Sequence, residues 1–456
     1  MAEVDPTWPR VFIVGGGFAG LSCARKLADA PARVTLVDRR NHHLFQPLLY
    51  QVATAALSPA DIAMPIRQTL RKQANARVVL AGITGVDPDR KRLLFEGGAV
   101  EYDYLVLACG ATHSYFGHDE WEKVAPGLKT LSDATEIRNR ILLAFESAEY
   151  EADLERQRAH LTFAIVGGGP TGVELAGAIE EIAAKTLPQD FRHIDTTTTR
   201  VILLEGADRL LPPFPPDLSA QTKHDLEALG VEVHLNSMVT NVTSDGVQVG
   251  ETFIPARTVL WAAGVKASPV GESLGVPRDR AGRVEVNPDL TVPGHPELFV
   301  VGDMAAVTSP DTGEAVPGVA PAAMQMGRYV GEIIRSELRG KTTPAQRKPF
   351  VYVDKGSLAT IGRSRAVARL GRFHFKGFIA WILWALVHIT FLLGFRNRIR
   401  VLGGWLWNWL LFVRDARLIV GEPRLDISKP RPGEVILAKE GEGEAATKDA
   451  DKPSKE

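Results

Sequence analysis

Two glycine-rich loops of the same pattern constrain this chain more than any other feature. Val-Gly-Gly-Gly-Phe-Ala-Gly at Val14–Gly20 and Val-Gly-Gly-Gly-Pro-Thr-Gly at Val166–Gly172 each follow an apolar run and open onto a helical pattern. In such a loop the first glycine turns the chain, the second lets the backbone approach a pyrophosphate, and the third lets helix and strand pack closely. Two copies predict two dinucleotide sites, an arrangement typical of electron transfer from a nicotinamide to a flavin.

The sequence around the first loop has the order expected of a dinucleotide-binding unit. Val11–Val14 reads as a buried parallel strand, and Leu21–Ala30 continues at helical spacing. The next predicted strand, Val34–Asp38, ends in a carboxylate eighteen residues after Gly20. That spacing is typical of an acidic side chain that binds a ribose.

The second copy repeats this order. Phe163–Val166 is its predicted strand and Val173–Ala183 its predicted helix, and the following strand ends at Glu205. The gap of thirty-three residues from Gly172 to Glu205 is longer than usual, and we interpret the polar stretch 189–199 as the insertion that lengthens it. Because a carboxylate ends the second strand in both copies, neither loop is well explained as a tight turn without a binding role.

Composition is consistent with a large α/β enzyme of about three units, since the chain has 456 residues and is 45% hydrophobic. The formal net charge of −1 is unevenly distributed. Between Lys355 and Arg414 there are ten Lys and Arg and no Asp or Glu. A basic C-terminal block on an otherwise acidic protein predicts contact with an anionic surface.

Cysteine usage excludes one class of flavoenzyme chemistry. The chain has only Cys23 and Cys109, and no Cys-x-x-Cys motif. A dithiol relay of the thioredoxin, glutathione or lipoamide reductase type needs a redox-active pair beside the flavin. Both thiols are therefore predicted to be small buried hydrophobes.

The acidic start predicts no secretory signal, so the folded part is expected in the cytoplasm. Near the other end, Gly377–Phe395 is nineteen residues long and almost wholly apolar, which is just enough to span a bilayer. Val401–Val413 is shorter, and five of the eight Trp lie within 381–409. Trp and Arg together favour the headgroup zone, so docking on the membrane surface is the preferred reading. A spanning helix, and a buried helix or dimer interface, are the alternatives.

The order of motifs resembles the type II NADH:quinone oxidoreductases, single-subunit flavoenzymes of the two-dinucleotide-binding-domain superfamily, from about Val11 to Arg414. General marks are the two glycine loops and the segments 105–112, 259–264 and 298–303; more specific ones are 41–54, 355–363 and 377–384. One departure is visible. The family's quinone-side pattern Ala-Gln-x-Ala-x-Gln occurs here at 320–325 with Pro321 in place of the first Gln.

The resemblance implies an α/β fold with two Rossmann-like dinucleotide-binding domains, in which the FAD domain is split by an inserted NADH domain, plus a C-terminal amphipathic membrane-docking region. The expected FAD domain is 1–115 and 265–345, the NADH domain 116–264, and the membrane-associating region 346–428. Residues 429–456 are rich in Pro, Gly, Glu and Lys and are predicted to be a disordered tail.

The resemblance also assigns cofactor-binding residues. Gly15, Gly17 and Gly20 would hold the FAD pyrophosphate, Asp38 the adenosine ribose and Asp303 the ribityl chain. The remaining FAD residues are expected to be Phe18, Ala19, Arg39, Ile83, Gly110 and Gly302. Gly167, Gly169 and Gly172 would hold the NADH pyrophosphate with Pro170, Thr171 and Gly264, and Glu205 would bind the ribose and disfavour NADPH.

For the chemistry, Glu174 is expected near the nicotinamide and flavin, where it would serve proton traffic; its alternative role is to compensate the helix dipole from the first turn. Gln325 and Lys376 are expected on the quinone side, with His388 a further polar residue there. No metal is predicted, and nothing resembles charged spans that carry protons across a bilayer.

The predicted partners are NADH, a quinone, anionic lipids at the cytoplasmic face of the cell inner membrane and a second copy of the chain, with no nucleic acid. Three other functions remain open. A soluble NADH-dependent ferredoxin or rubredoxin reductase would share both loops but not the Trp-rich tail. A sulfide:quinone oxidoreductase would need cysteines that handle sulfur. A non-catalytic NADH and FAD redox sensor would turn over slowly with every quinone.

Overall fold

The structure is a computed structural model that describes residues 5–411, 416–422 and 424–431. Most of the predicted disordered tail lies outside these residues. Within them the chain builds two parallel sheets, each covered by helices, followed by a small antiparallel sheet and two apolar helices. This is the predicted α/β class.

The first sheet has six strands and combines two distant parts of the chain. Its order is Thr291–Val292, His295–Val300, Tyr104–Leu107, Arg10–Val14, Arg33–Asp38 and Ala76–Leu80. The last five strands are mutually parallel and the first is antiparallel to its neighbour. Runs of Val, Ile, Leu and Phe make the central strands buried on both faces, as parallel sheets require.

Two helices pack against each other on one face of this sheet, Phe18–Lys26 and Ala320–Leu338. Glycines on the second helix allow the close approach. A Cβ at Gly327 would lie 2.0 Å from the carbonyl oxygen of Ala19, and one at Gly331 would lie 3.0 Å from that of Cys23. The late helix thus completes the unit begun by the first loop.

The second sheet has four parallel strands in the order Glu232–His234, Arg200–Leu204, Thr162–Val166 and Thr258–Trp261. The helices of this part of the chain are Leu131–Tyr150, Leu154–His160, Pro170–Glu181 and Pro216–Glu227. A π-helical turn, Ile182–Thr186, follows the third of them.

Small elements join and cover the two sheets. An antiparallel ribbon pairs Ala111–His113 with Val265–Ala267 where the chain passes from one sheet to the other. The other small sheets are Ile83–Asp87 with Arg92–Phe95 and Gly98–Glu101; Val239–Thr243 with Gly246–Val249 and Thr252–Pro255; His42–Leu44 with Ala63–Pro65; and Val284–Glu285 with Ala305–Ala306. Short helices at Leu49–Ala53, Pro59–Ile62 and Ile66–Leu70 flank the third of these. The predicted domain limits at 115 and 265 fall at the ribbon, and the limits themselves stay predictions.

The C-terminal part is a three-stranded antiparallel sheet followed by two helices. The strands are Ser357–Gly362, Arg365–Leu370 and Phe373–Lys376, and the helices are Gly377–Phe391 and Phe395–Leu411, called here the apolar helices. The apolar segment predicted as one helix to Phe395 therefore breaks after Phe391, at a turn that contains Gly394 with φ +88°. Within the described residues, no helix has both the length and the apolarity that a membrane crossing requires.

Other predicted elements differ from the structure mainly at their ends. The helix predicted as Leu21–Ala30 is Phe18–Lys26, because the glycine loop itself supplies its first turn. Likewise Val173–Ala183 is Pro170–Glu181, with Pro170 at its first position. Glu205 lies just beyond its strand, which ends at Leu204.

Candidate functional site

The first glycine loop is a tight turn with close backbone contacts. Gly15 has φ +105°, a left-handed value that favours glycine, and its N–H donates to the carbonyl of Val37 at 2.8 Å. A Cβ at Gly20 would lie 1.9 Å from the carbonyl oxygen of Gly15, so the helix can approach the strand only with glycine there. At Gly17, by contrast, a Cβ would meet nothing within 4 Å. The open side of the loop is therefore at Gly17.

The second loop reproduces this geometry. Gly167 has φ +110° and its N–H donates to the carbonyl of Leu204 at 2.8 Å. A Cβ at Gly172 would lie 1.8 Å from the carbonyl oxygen of Gly167, and one at Gly169 would meet nothing within 4 Å. Pro170 and Thr171 form the first turn of the helix that leaves this loop, as Phe18 and Ala19 do in the first. Each loop thus presents a helix N-terminus, which favours a phosphate.

The two predicted ribose carboxylates lie at matching places. Asp38 Oδ2 accepts from the N–H of Gly16 at 2.6 Å, and Glu205 Oε2 accepts from the N–H of Gly168 at 2.5 Å. The other oxygen of each accepts from a backbone N–H two residues further on, at Arg40 and Ala207, both at 2.7 Å. Both carboxylates are thereby fixed beside the middle glycine of their loop.

Strand ends bring further predicted residues to the first loop. Gly302, with φ +69°, follows the strand His295–Val300, and a Cβ there would lie 3.5 Å from Ala19 and 3.6 Å from Ala323. Asp303 comes next and lies beside Gly318. The ends of two strands and the starts of two helices therefore meet here.

The remaining predicted cofactor residues are placed as follows. Gly110 and Gly264 stand next to the two strands of the connecting ribbon, with φ +70° and +80°. Arg39 is exposed at the end of the strand Arg33–Asp38. Ile83 begins a strand of a small sheet and packs at the margin of the core of the first unit.

Glu174 corrects one expectation. It lies in the second turn of the helix Pro170–Glu181, whose first turn has no acidic residue, so compensation of the dipole from the first turn is the wrong reading. The carboxyl is half-buried, and burial raises its pKa well above the usual value, while a backbone hydrogen bond from Thr360 opposes the rise. The carboxyl is therefore partly desolvated, which favours its protonated form.

A close contact holds this helix to the C-terminal sheet, and sequence reasoning missed it. A Cβ at Gly177 would lie 1.7 Å from the carbonyl oxygen of Ile361. One turn further on, Glu181 Oε1 accepts from the N–H of Arg363. Glu174, Gly177 and Glu181 are spaced by three and four residues, so the sequence could have shown that they share one helix face, but not which strand that face contacts.

The three polar residues expected on the quinone side each have protein partners. The Gln325 amide accepts from the N–H of Val353 at 3.0 Å and donates to its carbonyl at 2.9 Å. Lys376 Nζ lies 3.5 Å from Asp217 Oδ2, and both side chains are exposed. His388 donates from Nδ1 to the carbonyl of Trp384 at 2.7 Å, and burial lowers its pKa to about 4, so it is a neutral packing residue.

Cys23 is buried, as predicted, whereas Cys109 is only partly exposed to solvent rather than fully buried. Burial raises the pKa of Cys23 and of Cys109 to about 12, which disfavours the reactive thiolate. Among the described residues there is no group of three or more His, Cys, Asp or Glu able to hold a metal ion.

Comparison with known proteins agrees with this geometry. Residues 9–327 match the family model of pyridine nucleotide-disulphide oxidoreductases, and residues 355–415 match the NDH2 C-terminal domain. The chain is 45% identical over 455 residues to the type II NADH:quinone oxidoreductase Ndh of Mycobacterium tuberculosis, covering 97% of this chain and 96% of the relative. Its identity to the NdhA protein of that organism is 47% over 410 residues, covering 87% and 86%.

Among solved structures, NDH2 from Plasmodium falciparum in complex with NADH superposes with a TM-score of 0.81 at 21% sequence identity. The match covers 91% of this chain and 100% of that one, and it shows a shared fold. The identity and coverage of the alignments with the two relatives, together with the matches to both family models, decide the assignment. The chain belongs to the pyridine nucleotide-disulphide oxidoreductases and, within them, to the type II NADH:quinone oxidoreductases.

Proposed function

We propose that this chain oxidises NADH and reduces a quinone, with FAD held in the first glycine loop and NADH in the second. The duplicated cradle carries the proposal, because two matching phosphate sites fit one resident dinucleotide and one dinucleotide substrate. The reaction consumes NADH, one proton and a quinone, and yields NAD⁺ and a quinol. It transfers two electrons from NADH to the quinone and moves no proton across the membrane.

The residues present at the first loop fit FAD. The open space at Gly17 is the place that a side chain would fill, and the neighbouring N–H groups at the helix N-terminus suit a pyrophosphate. Gly15, Gly20 and Asp38 shape this cradle, and Phe18, Ala19, Arg39, Ile83, Gly110, Gly302 and Asp303 are proposed to complete it. When bound, FAD would supply a ring able to accept a hydride from NADH and to pass two electrons to the quinone.

At the second loop, Gly167, Gly169 and Gly172 would hold the NADH pyrophosphate, with Pro170, Thr171 and Gly264 around it. Glu205 would bind the adenosine ribose. Its negative charge repels the 2′-phosphate of NADPH, which supports a preference for NADH.

Side chains of this protein are proposed to supply protons and to bind the quinone. Glu174 is on the helix that begins at the second loop, and its raised pKa favours a carboxyl that holds a proton. Lys376 and Gln325 are proposed to bind on the quinone side, Lys376 as a cation and Gln325 as an amide. Gln325 pairs with Val353 through its amide oxygen and one amide hydrogen, and its second amide hydrogen would be the donor to a quinone carbonyl.

The apolar helices support docking on a lipid surface. On Phe395–Leu411, residues four apart face the protein: Val401 is fully buried, Trp405 Nε1 donates to Gln51 at 2.7 Å and Trp409 Nε1 donates to Ser364 at 3.0 Å. The outward residues are large and exposed: Phe378, Ile379, Ile382, Leu386, Phe391, Phe395, Ile399, Leu402, Leu406, Trp407 and Leu410. An apolar patch of this size is typical of a membrane contact.

We place this face on anionic lipids of the cytoplasmic side of the inner membrane. Arg396 and Arg400 are exposed beside the outward apolar residues, where a guanidinium can meet lipid phosphates. A homodimer through the same helices is the competing occupant. Sedimentation in detergent and vesicle binding separate the two.

The first test is NADH consumption by the purified FAD-loaded protein with a soluble short-chain quinone and, in parallel, with ferricyanide. Quinone reduction at a rate comparable to ferricyanide reduction supports the proposal. Activity with ferricyanide alone would confirm only the NADH half and would favour a protein acceptor, as in ferredoxin-type reductases. Tight NADH binding without turnover would favour a redox sensor, and oxidation of sulfide with quinone would favour a sulfide:quinone oxidoreductase.

Docking is tested with the variant Leu402→Asn/Leu406→Asn and with Arg396→Ala/Arg400→Ala, in vesicles with and without anionic lipid. Arg398 is left intact, because its guanidinium donates to the carbonyls of Leu392 and Thr390 and so holds the turn between the apolar helices. We expect both variants to lose vesicle association while their activity with soluble quinone persists. Unchanged association of both would overturn docking by this face.

A further inference from the structure

The peptide between Gly16 and Gly17 faces the open side of the first loop, and a side chain fixes its orientation. His43 Nδ1 lies 2.9 Å from the carbonyl oxygen of Gly16. Since a carbonyl can only accept, Nδ1 carries the proton and donates. A peptide unit is planar and trans, so its C=O and N–H point in opposite directions. Holding the Gly16 carbonyl toward His43 therefore turns the Gly17 N–H the other way.

The protein leaves open space beside Gly17, at the start of the loop helix. A Cβ at Gly17 would meet nothing within 4 Å, and Gly17 caps the N-terminus of the helix Phe18–Lys26. The N–H of the preceding residue, Gly16, is occupied by Asp38. Among the loop amides, that of Gly17 thus depends on the peptide plane that His43 holds.

In the second loop, a backbone N–H instead of a side chain holds the corresponding carbonyl. There the carbonyl of Gly168, the counterpart of Gly16, accepts from the backbone N–H of Leu211 at 2.9 Å. The N–H of Gly168 is again occupied by a carboxylate, that of Glu205. The same peptide plane is therefore fixed in both loops, once by a histidine and once by a main-chain amide.

His43 is built into this position. It is only 3% exposed, it lies on the short strand His42–Leu44 paired with Ala63–Pro65, and its ring meets that of Phe18 edge to face at 5.1 Å between centroids. Phe18 is the first residue of the loop helix, so the same histidine touches the loop twice. A neutral ring with the proton on Nδ1 and a fully protonated ring both donate from this atom.

We propose that His43 is a positioning residue for the FAD pyrophosphate, which fixes the Gly16–Gly17 peptide so that its N–H points at the phosphates. The proposal rests on FAD in the first loop and goes beyond the proposed function in assigning this role to a side chain outside the glycine motif. Its loss leaves a buried carbonyl unpaired and a phosphate donor free to rotate. FAD binding should weaken, while the NADH site should be untouched.

The test compares His43→Phe, which keeps a ring against Phe18 but has no donor, with His43→Asn, whose amide nitrogen stands near the place of Nδ1. FAD release from the holoenzyme is followed by the rise of flavin fluorescence on dilution, and the FAD dissociation constant by titration. We expect His43→Phe to bind FAD about tenfold more weakly. His43→Asn should restore most of the affinity, and the KM for NADH at saturating FAD should be unchanged in both.

Wild-type FAD affinity in His43→Phe, or an equal loss in His43→Asn, would overturn the role. If His43→Phe does not accumulate as folded protein, His43→Leu replaces it, and its melting temperature with and without added FAD gives the same comparison. A failure of the proposed function shows differently. In that case the wild type, with its FAD in place, would not oxidise NADH with a quinone, whatever the variants do.

Discussion

The two glycine loops have the same cradle but different supports. Behind the first loop, the helix Phe18–Lys26 is held by Ala320–Leu338, which belongs to the same sheet unit. Behind the second, Pro170–Glu181 is held by the strand Ser357–Gly362, which leads into the apolar helices. The loop proposed for the resident cofactor is thus closed within its own unit. The loop proposed for the substrate is packed against the part of the protein proposed to meet the membrane.

The two loop helices also differ in the charges at their C-terminal ends. Phe18–Lys26 ends with Arg25 and Lys26, which complement the negative end of the helix dipole. The helix Pro170–Glu181 instead ends with Glu180 and Glu181, where negative charge is unfavourable. The C-terminal sheet supplies a backbone N–H to Glu181. The two glycine loops therefore need not be equally stable, although their geometry is the same.

The largest expected effect separates the ligands of the two loops. Gly20→Ala and Gly172→Ala each place a methyl group less than 2 Å from a loop carbonyl, at 1.9 and 1.8 Å. We expect Gly20→Ala to be purified with little FAD and to lose activity with every acceptor. Gly172→Ala should keep FAD and raise the KM for NADH by about tenfold to a hundredfold. Flavin absorbance and NADH titration measure both.

Gly17→Ala and Gly169→Ala are the matched controls, because neither methyl group would meet a protein atom within 4 Å. Their melting temperatures without ligand should equal that of the wild type, while each still weakens its own ligand. A Gly172→Ala protein that loses FAD but keeps its KM for NADH would show that the two loops are assigned the wrong way round.

The second effect concerns the buried carboxyl of the second loop helix, which has no counterpart in the first. Glu180 is buried against Gly230, Oε2 has no hydrogen-bond partner among the described residues, and burial raises its pKa from 4.5 to about 7. In the unfolded chain the Glu180 carboxyl loses its proton near pH 4.5, whereas in the folded protein it does so near pH 7. The contribution of this carboxyl to stability is therefore fully present below pH 4.5 and is lost as the pH rises to 7, by up to about 3 kcal/mol.

Glu180→Gln removes this titration. Its stability relative to the wild type should increase between pH 4.5 and 7 and stay constant above, as measured by urea unfolding at several pH values. Glu180→Leu should show the same relative pH dependence whatever its absolute stability. Parallel profiles for all three proteins would mean that the carboxyl is not desolvated, and would remove this difference between the loops.

What the sequence could predict follows from how local each feature is. The loops, their strands and the carboxylates Asp38 and Glu205 lie within one contiguous unit each, so spacing alone predicts them. The contact of Gly177 with Ile361 joins residues far apart in the chain, and a glycine in a helix gives no hint of its neighbour. The break after Phe391 was missed for another reason. Apolar composition continues across it, and only the backbone shows that the helix ends.

A third, smaller effect tests whether the matching carboxylates play matching roles. Glu205→Gln removes the charge that would repel a 2′-phosphate but keeps an amide oxygen that can accept from Gly168. We expect the ratio of kcat/KM for NADPH over NADH to rise by about tenfold. Asp38→Asn is the control in the first loop, and it should weaken FAD without changing that ratio. An unchanged ratio in Glu205→Gln would remove Glu205 from the ribose role.

The smallest effect is expected at the exposed edge of the contact between the second unit and the C-terminal sheet. Asp217 lies 3.5 Å from Lys376 and 3.1 Å from His374, and all three side chains are solvent-accessible. Exposed ion pairs contribute little, so Asp217→Asn should shift the melting temperature by no more than about 2 °C and leave the KM for NADH unchanged. Gly177→Ala, whose methyl group would lie 1.7 Å from the Ile361 carbonyl, should destabilise the protein far more. If Asp217→Asn were the more damaging of the two, surface charge rather than backbone packing would hold the substrate loop to the C-terminal sheet, and the contrast between the two loops would lie in their electrostatics.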